Sequence, residues 1–202
     1  MNKNRLEAIS DGIFAIVMTL LILDVRLPAN IPINSNADLL NVLFLIKPKI
    51  ISFAVSFFII AGYMVGHHFI FSLLNKVNGV FVWINIFYLL TISFVPFPTS
   101  ILAEHGDKFA ALCFYALNLT LCGGFHTLMF WRIYKNESLR KPDVKPTDVK
   151  KYFWSAVFGT STNLIAILLG LISVQLGLVM LVATPFYFII TRLIIEKKQI
   201  QL

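Results

Sequence analysis

The sequence predicts an all-α fold, a bundle of six membrane-spanning helices, and three observations carry that expectation. The 202 residues are 58% hydrophobic and only 13% charged, which leaves little material for a water-soluble domain. The apolar residues gather into six runs, at about 5–27, 50–74, 80–102, 109–134, 152–174 and 178–195. Each is close to the roughly 20 residues that a bilayer crossing needs. Lysine and arginine are also unevenly shared between alternate connections. With the N-terminus inside, 13 fall on the inner side and 4 on the outer. That is the positive-inside pattern of a multi-pass cell-membrane protein with both termini cytoplasmic. Topology and contact with anionic lipid headgroups thus explain the net charge of +7, and nucleic-acid binding is unnecessary.

The first run is apolar enough to cross a membrane but carries charge in unusual places. Its uncharged stretch from Gly12 to Leu23 is 12 residues, roughly 18 Å of helix at about 1.5 Å per residue. The hydrocarbon core is about 30 Å thick, so Asp11, Asp24 or both must lie in or near it. A carboxylate there costs roughly 2.5–3.5 kcal/mol and normally faces protein or water with a partner. At about 100° per residue, Ile9, Ile16, Leu20, Leu23 and Leu27 share one stripe, with Gly12 and Thr19 at its edge. Asp11 lies nearly opposite, and Ser10 about a third of a turn away. Such a stripe packs against neighbouring helices or lines something. The N-terminus has no small-residue cleavage site and more apolar runs follow, which argues against a signal peptide.

Beyond Pro28 the segment ANIPINSNAD is too polar for the bilayer core, and 37–46 predicts a short amphipathic helix at the interface. Lys47-Pro48-Lys49 opens the second span. Asp24 is expected to pair with Arg26 or Lys47 at the outer surface. Pro96 and Pro98 should kink or end the third span early. Cys113 and Cys122 share the fourth span on opposite sides, about 13.5 Å apart along its axis, and so form no disulfide. A basic loop, KNESLRKPDVKPTDVKK, precedes the fifth span, and Pro185 lies within the sixth. Ser155, Gly159 and Asn163, four apart, and Gly123-Gly124 suggest close helix approach. No internal repeat is visible, so residues 1–202 read as one six-helix domain.

Arg5-x-x-x-Ile9-Ser10-Asp11-Gly12-x-x-Ala15-Ile16-x-x-Thr19-Leu20-x-x-Leu23 resembles the first-helix signature of the prokaryotic relatives of transmembrane protein 175, the lysosomal potassium channel. Ile9 stands where that family usually has phenylalanine, which loses an aromatic contact and leaves Arg, Ser and Asp in place. Further similarity runs through His67-His68 and Pro96-Phe97. The resemblance implies a homotetramer with four first helices around the axis. Rings of Ile16, Leu20 and Leu23 would then line the conduit and form constriction and gate, with Thr19 as the only polar ring and the expected selectivity element. It also implies a structural network of Arg5, Ser10 and Asp11 with His67 or His68. The sequence does not decide which histidine joins.

The expected function is a potassium-permeable, modestly selective cation channel. Its partners are other copies of itself, potassium ions and lipid, and it needs no cofactor beyond the permeant ion. A secondary or proton-coupled transporter is the alternative, with Asp11 and His67/His68 as its protonation site. The missing repeat and broken helix pairs count against it. An enzyme finds no support. Adjacent histidines point about 100° apart and do not chelate one metal, and no P-loop, nucleophile elbow or HExxH occurs. The Thr-Val-Gly-Tyr-Gly filter is absent as well, so selectivity by backbone carbonyl rings is not expected.

Overall fold

The computed structural model describes residues 2–184, which form helices joined by turns and loops with no β-strand among them. Helix α1 (Lys3–Leu20) is started by Asn2, whose side chain accepts the Arg5 amide at 2.9 Å. Beyond Leu20 the chain tightens into a 3-10 turn, Leu21–Asp24. Arg26 folds back there, its Nε donating to the Leu23 carbonyl. That use of the guanidinium explains a departure from expectation. Asp24 has no ion pair with Arg26 or Lys47, and on this face Lys49 pairs instead with Glu104 at 2.7 Å.

Helix α2 (Asn36–Leu45) begins with a reciprocal cap. Ser35 Oγ accepts the Asp38 amide, and the Asp38 carboxylate accepts the Asn34 amide, both at 3.1 Å. Hydrogen bonding to the carboxylate, from the Ser35 side chain foremost and then from the Asn34 amide, holds the Asp38 carboxyl below its usual range. Leu39, Leu40, Leu43 and Phe44 are left exposed, as suits a helix lying at an interface. Helix α3 (Lys47–Leu73) opens with Pro48 in its first turn, where a missing N–H costs nothing. Asn78 caps α4 (Gly79–Phe94) by accepting the Phe81 amide at 2.9 Å.

The break in the third span falls at Val95, directly before Pro96. There α5 (Pro96–His105) continues the crossing with proline in its first turn. Helices α6 (Phe109–Lys135) and α7 (Pro146–Ile172) follow, each 27 residues long. Five helical segments among the described residues are long and apolar enough to cross a membrane: Lys3–Asp24, Lys47–Leu73, Gly79–His105, Phe109–Lys135 and Pro146–Ile172. Of the sixth span expected at 178–195, only the start is described, within α8 (Val174–Thr184). Pro185 and everything after it lie outside the described residues.

The most extensive packing joins α6 to α7, and small residues permit it. A Cβ on Gly123 would sit 2.5 Å from Thr160 Oγ1, whereas Gly124 faces open space. Of the expected Ser155, Gly159 and Asn163 series, Ser155 is exposed and Asn163 buried, so that stripe is not one continuous seam. Gly177 lets α8 turn back tightly on α7, since a Cβ there would meet the Ala166 carbonyl at 2.7 Å, whereas Gly170 makes room for Leu112 and Phe109 of α6. Both cysteines are free thiols, Cys122 fully buried. Helix α1 lies against α3 and α4, contributing Leu6, Phe14 and Val17 to the core, and the 3-10 turn adds Leu21.

Candidate functional site

Helix α1 presents two faces of opposite character. Leu6, Ser10, Phe14, Val17 and Leu21 recur every three or four residues and are buried against α3 and α4. The other face is uncovered by the described residues of its own chain. There Ile16 is 58% exposed, Leu20 44% and Leu23 50%, with Ile9 and Leu27 similarly open. The stripe therefore does not serve packing within one chain, because α1 already has its core-facing side elsewhere. The 3-10 turn also stretches it. With a rise of about 2.0 Å per residue after Leu20, Ile16 to Leu23 spans about 12 Å, against about 10.5 Å for an unbroken α-helix.

Thr19 is exposed on this open side, and its hydroxyl donates to the Ile16 carbonyl at 2.8 Å. That bond fixes the rotamer and employs the hydroxyl proton. The oxygen lone pairs remain available as acceptors, which is the orientation a cation requires of a hydroxyl.

The polar residues predicted to form one cluster form two. In the first, buried, His67 Nε2 donates to Asn85 Oδ1 at 2.8 Å and Asn85 Nδ2 donates to Ser10 Oγ at 3.1 Å. Ser10 in turn donates to the Leu6 carbonyl at 2.9 Å. The chain of donors runs from α3 through α4 into the backbone of α1. The His67 ring is clamped in place, stacked 5.8 Å from Tyr88 and tilted against Phe71 at 4.4 Å. In the second, His68 Nε2 meets Asp11 Oδ1 at 2.7 Å, with both side chains nearly half exposed. The divergence of adjacent residues on a helix thus sends the two histidines to different partners on α1.

Arg5 belongs to neither group. Its side chain is exposed and forms no hydrogen bond or ion pair among the described residues. Five residues of helix rotate it about 140° from Ser10, and six rotate it about 120° from Asp11. Within one chain it therefore points elsewhere, a correction to the single network expected. Asn85 was not among the residues singled out by sequence. Its only signal was an amide lying alone in the apolar run 79–94.

Comparison with known proteins bears on this geometry. The family described as "Endosomal/lysosomal potassium channel TMEM175" matches residues 5–96, which hold α1 from Arg5 onward, His67, His68 and Asn85. A potassium channel of Chamaesiphon minutus is 32% identical over 91% of this chain and 92% of its own length. A potassium channel of Streptomyces collinus is also 32% identical, over 71% of each. Among solved structures, the lysosomal potassium-selective channel TMEM175 homolog from Chamaesiphon minutus superposes with a TM-score of 0.82 at 30% identity. It covers 94% of this chain and 97% of that one.

Proposed function

This chain belongs to the TMEM175 family of potassium channels, alongside its prokaryotic members, and on that footing we propose how it conducts. It is a multi-pass membrane protein of an ion-channel family and not an enzyme. In our reading residues 1–202 form one six-span channel domain in the cell membrane, with both termini on the cytoplasmic side. Four copies gather their α1 helices around a common axis. The observation that carries this is the stripe of Ile16, Leu20 and Leu23, left open by its own chain while the opposite face of the same helix is buried.

Around the axis these side chains make stacked apolar rings. Water leaves a narrow apolar constriction and an ion does not shed its shell there, so the rings gate by dewetting. Thr19, held by its bond to the Ile16 carbonyl, contributes one ring of hydroxyl oxygens between them. Those oxygens replace part of the shell of a permeating ion. Potassium sheds water more cheaply than sodium, so the preference is for potassium, and it is modest because the ring is single. The polar groups beside Ser10 and Asp11 hold the helix in place, and Arg5 faces a neighbouring copy. The transporter alternative has less support, because His67 is clamped between aromatic rings with its Nε2 bonded to Asn85.

Thr19→Val keeps the shape of the side chain and removes its oxygen, which makes it the test of the selectivity element. The variant is expected to show a smaller potassium-over-sodium preference, measured as the reversal potential under bi-ionic conditions. A reversal potential and unitary conductance both unchanged from wild type would exclude Thr19 as the residue that reads the ion.

A further inference from the structure

The basic loop between α6 and α7 is a folded cap, bonded to the chain leaving α3, to which the start of α1 is also bonded. Leu139 and Val149 are fully buried and Arg140 nearly so, its guanidinium donating to the Ile133 and Tyr134 carbonyls at the end of α6. Backbone bonds then join this loop to the chain leaving α3. The Asn75 amide donates to the Leu139 carbonyl at 2.8 Å, and the Lys141 amide to the Leu73 carbonyl at 3.0 Å. Between those two bonds, the Leu74 carbonyl accepts Lys3 Nζ at 2.9 Å. Lys3 is the first residue of α1. The loop and the start of α1 are thus clasped to the same three residues of chain.

The exposed surface of this cap has a definite chemistry. Lys76, Lys135, Lys145 and Lys150 are exposed, with no acidic partner among the described residues. Lys151 has only a loose contact with Asp148 at 3.9 Å. Among the described residues, Glu7, Asp11, Glu137 and Asp143 are the other acids toward this end of the bundle, with Asp11 already held by His68, too few to neutralise it. Trp131, Tyr152 and Trp154 are exposed near the adjoining ends of α6 and α7. Exposed tryptophan and tyrosine at the end of a spanning helix mark the depth of the lipid headgroups. Unpaired lysines at that depth attract anionic lipids.

We infer that the α6–α7 cap is a docking surface for anionic phospholipid headgroups and that, through the Lys3–Leu74 clasp, their binding sets the position of the pore helix. The inference rests on the channel reading above and adds the regulation of that pore. Without counter-ions the cap lysines repel one another and the nearby Lys3 ammonium. Bound headgroups relieve that repulsion and tighten the clasp, so conduction depends on lipid charge.

The test compares potassium flux of the full chain in vesicles of phosphatidylcholine alone and of phosphatidylcholine with phosphatidylglycerol. Wild type is expected to differ several-fold between the two. A variant with Lys145, Lys150 and Lys151 all changed to Gln should show a ratio near unity. These side chains are exposed, so folding should persist, checked as a monodisperse peak in chromatography. Lys3→Met, with every cap lysine intact, should likewise lose the ratio, and Lys3→Arg should restore it. A general surface-potential effect would shift all four proteins equally, and that result overturns the inference. So does equal flux of wild type in both vesicles, which leaves the channel itself standing. No wild-type flux in either would remove the channel reading and this one with it. Inorganic phosphate added to phosphatidylcholine vesicles should not reproduce the shift, and full reproduction would overturn the assignment to lipid.

Discussion

Ile16→Asn is expected to raise resting potassium flux at least about tenfold while the protein still assembles. Ile16 is the most exposed of the three ring residues, at 58%, so its replacement disturbs no contact in the core of its own chain. In a tetramer the substitution places four amides at one level, where they hold water that isoleucine expels. A tenfold gain requires lowering the barrier by only about 1.4 kcal/mol, a modest demand on four side chains acting together. Flux assays in vesicles read the effect, and Ile16→Ala separates width from polarity. Unchanged flux in both variants would move the constriction to Leu20 or Leu23.

Asn85→Ala should produce the largest loss of stability of any single polar substitution near α1. The amide is fully buried and bridges two helices to the third, accepting from His67 and donating to Ser10. Ser10 keeps its bond to the Leu6 carbonyl, but His67 loses its one hydrogen-bond partner, since its Nδ1 has none. A buried donor left unsatisfied costs about 1–3 kcal/mol, and the removed amide leaves a void as well. Helix-to-helix hydrogen bonds inside membranes average only about 0.6 kcal/mol, because the unfolded state in lipid also finds partners. His67 is enclosed by aromatic rings and not by lipid, so the orphaning cost decides. The expected loss is about 2 kcal/mol, seen as a lower unfolding temperature in detergent chromatography. His67→Phe combined with Asn85→Leu, which removes both partners, should cost less than Asn85→Ala alone. A change within about 0.5 kcal/mol for Asn85→Ala, as for ordinary surface substitutions, would show that this chain of bonds does not anchor α1.

Much of this architecture is legible in the sequence because a bilayer makes hydrophobicity and charge speak plainly. The apolar runs mark the crossings, Pro96 marks the break at Val95, and the period of α1 separates the Ile16 stripe from the Ser10 face. What the stripe faced was not legible, since a helix pattern records which residues are apolar and not what covers them. The partition of the polar cluster was also hidden. Spacing along α1 shows that Arg5 and Ser10 diverge, but nothing in it reveals that Asn85, on a helix 75 residues away, completes the bond to His67. Likewise the sequence of the basic loop speaks of topology and contact with anionic headgroups, and carries no sign of packed structure. Only the positions of Leu139, Arg140 and Lys3 show it to be built into the end of the bundle.

Single-channel recording of the purified full-length chain in a planar bilayer tests the potassium-channel reading most directly. Passage through a ringed conduit predicts discrete unitary steps, with a reversal potential displaced toward that of potassium when potassium and sodium face each other. Potassium transport without unitary steps, driven only by a coupled proton gradient and abolished in Asp11→Asn, would instead identify a carrier and contradict the channel.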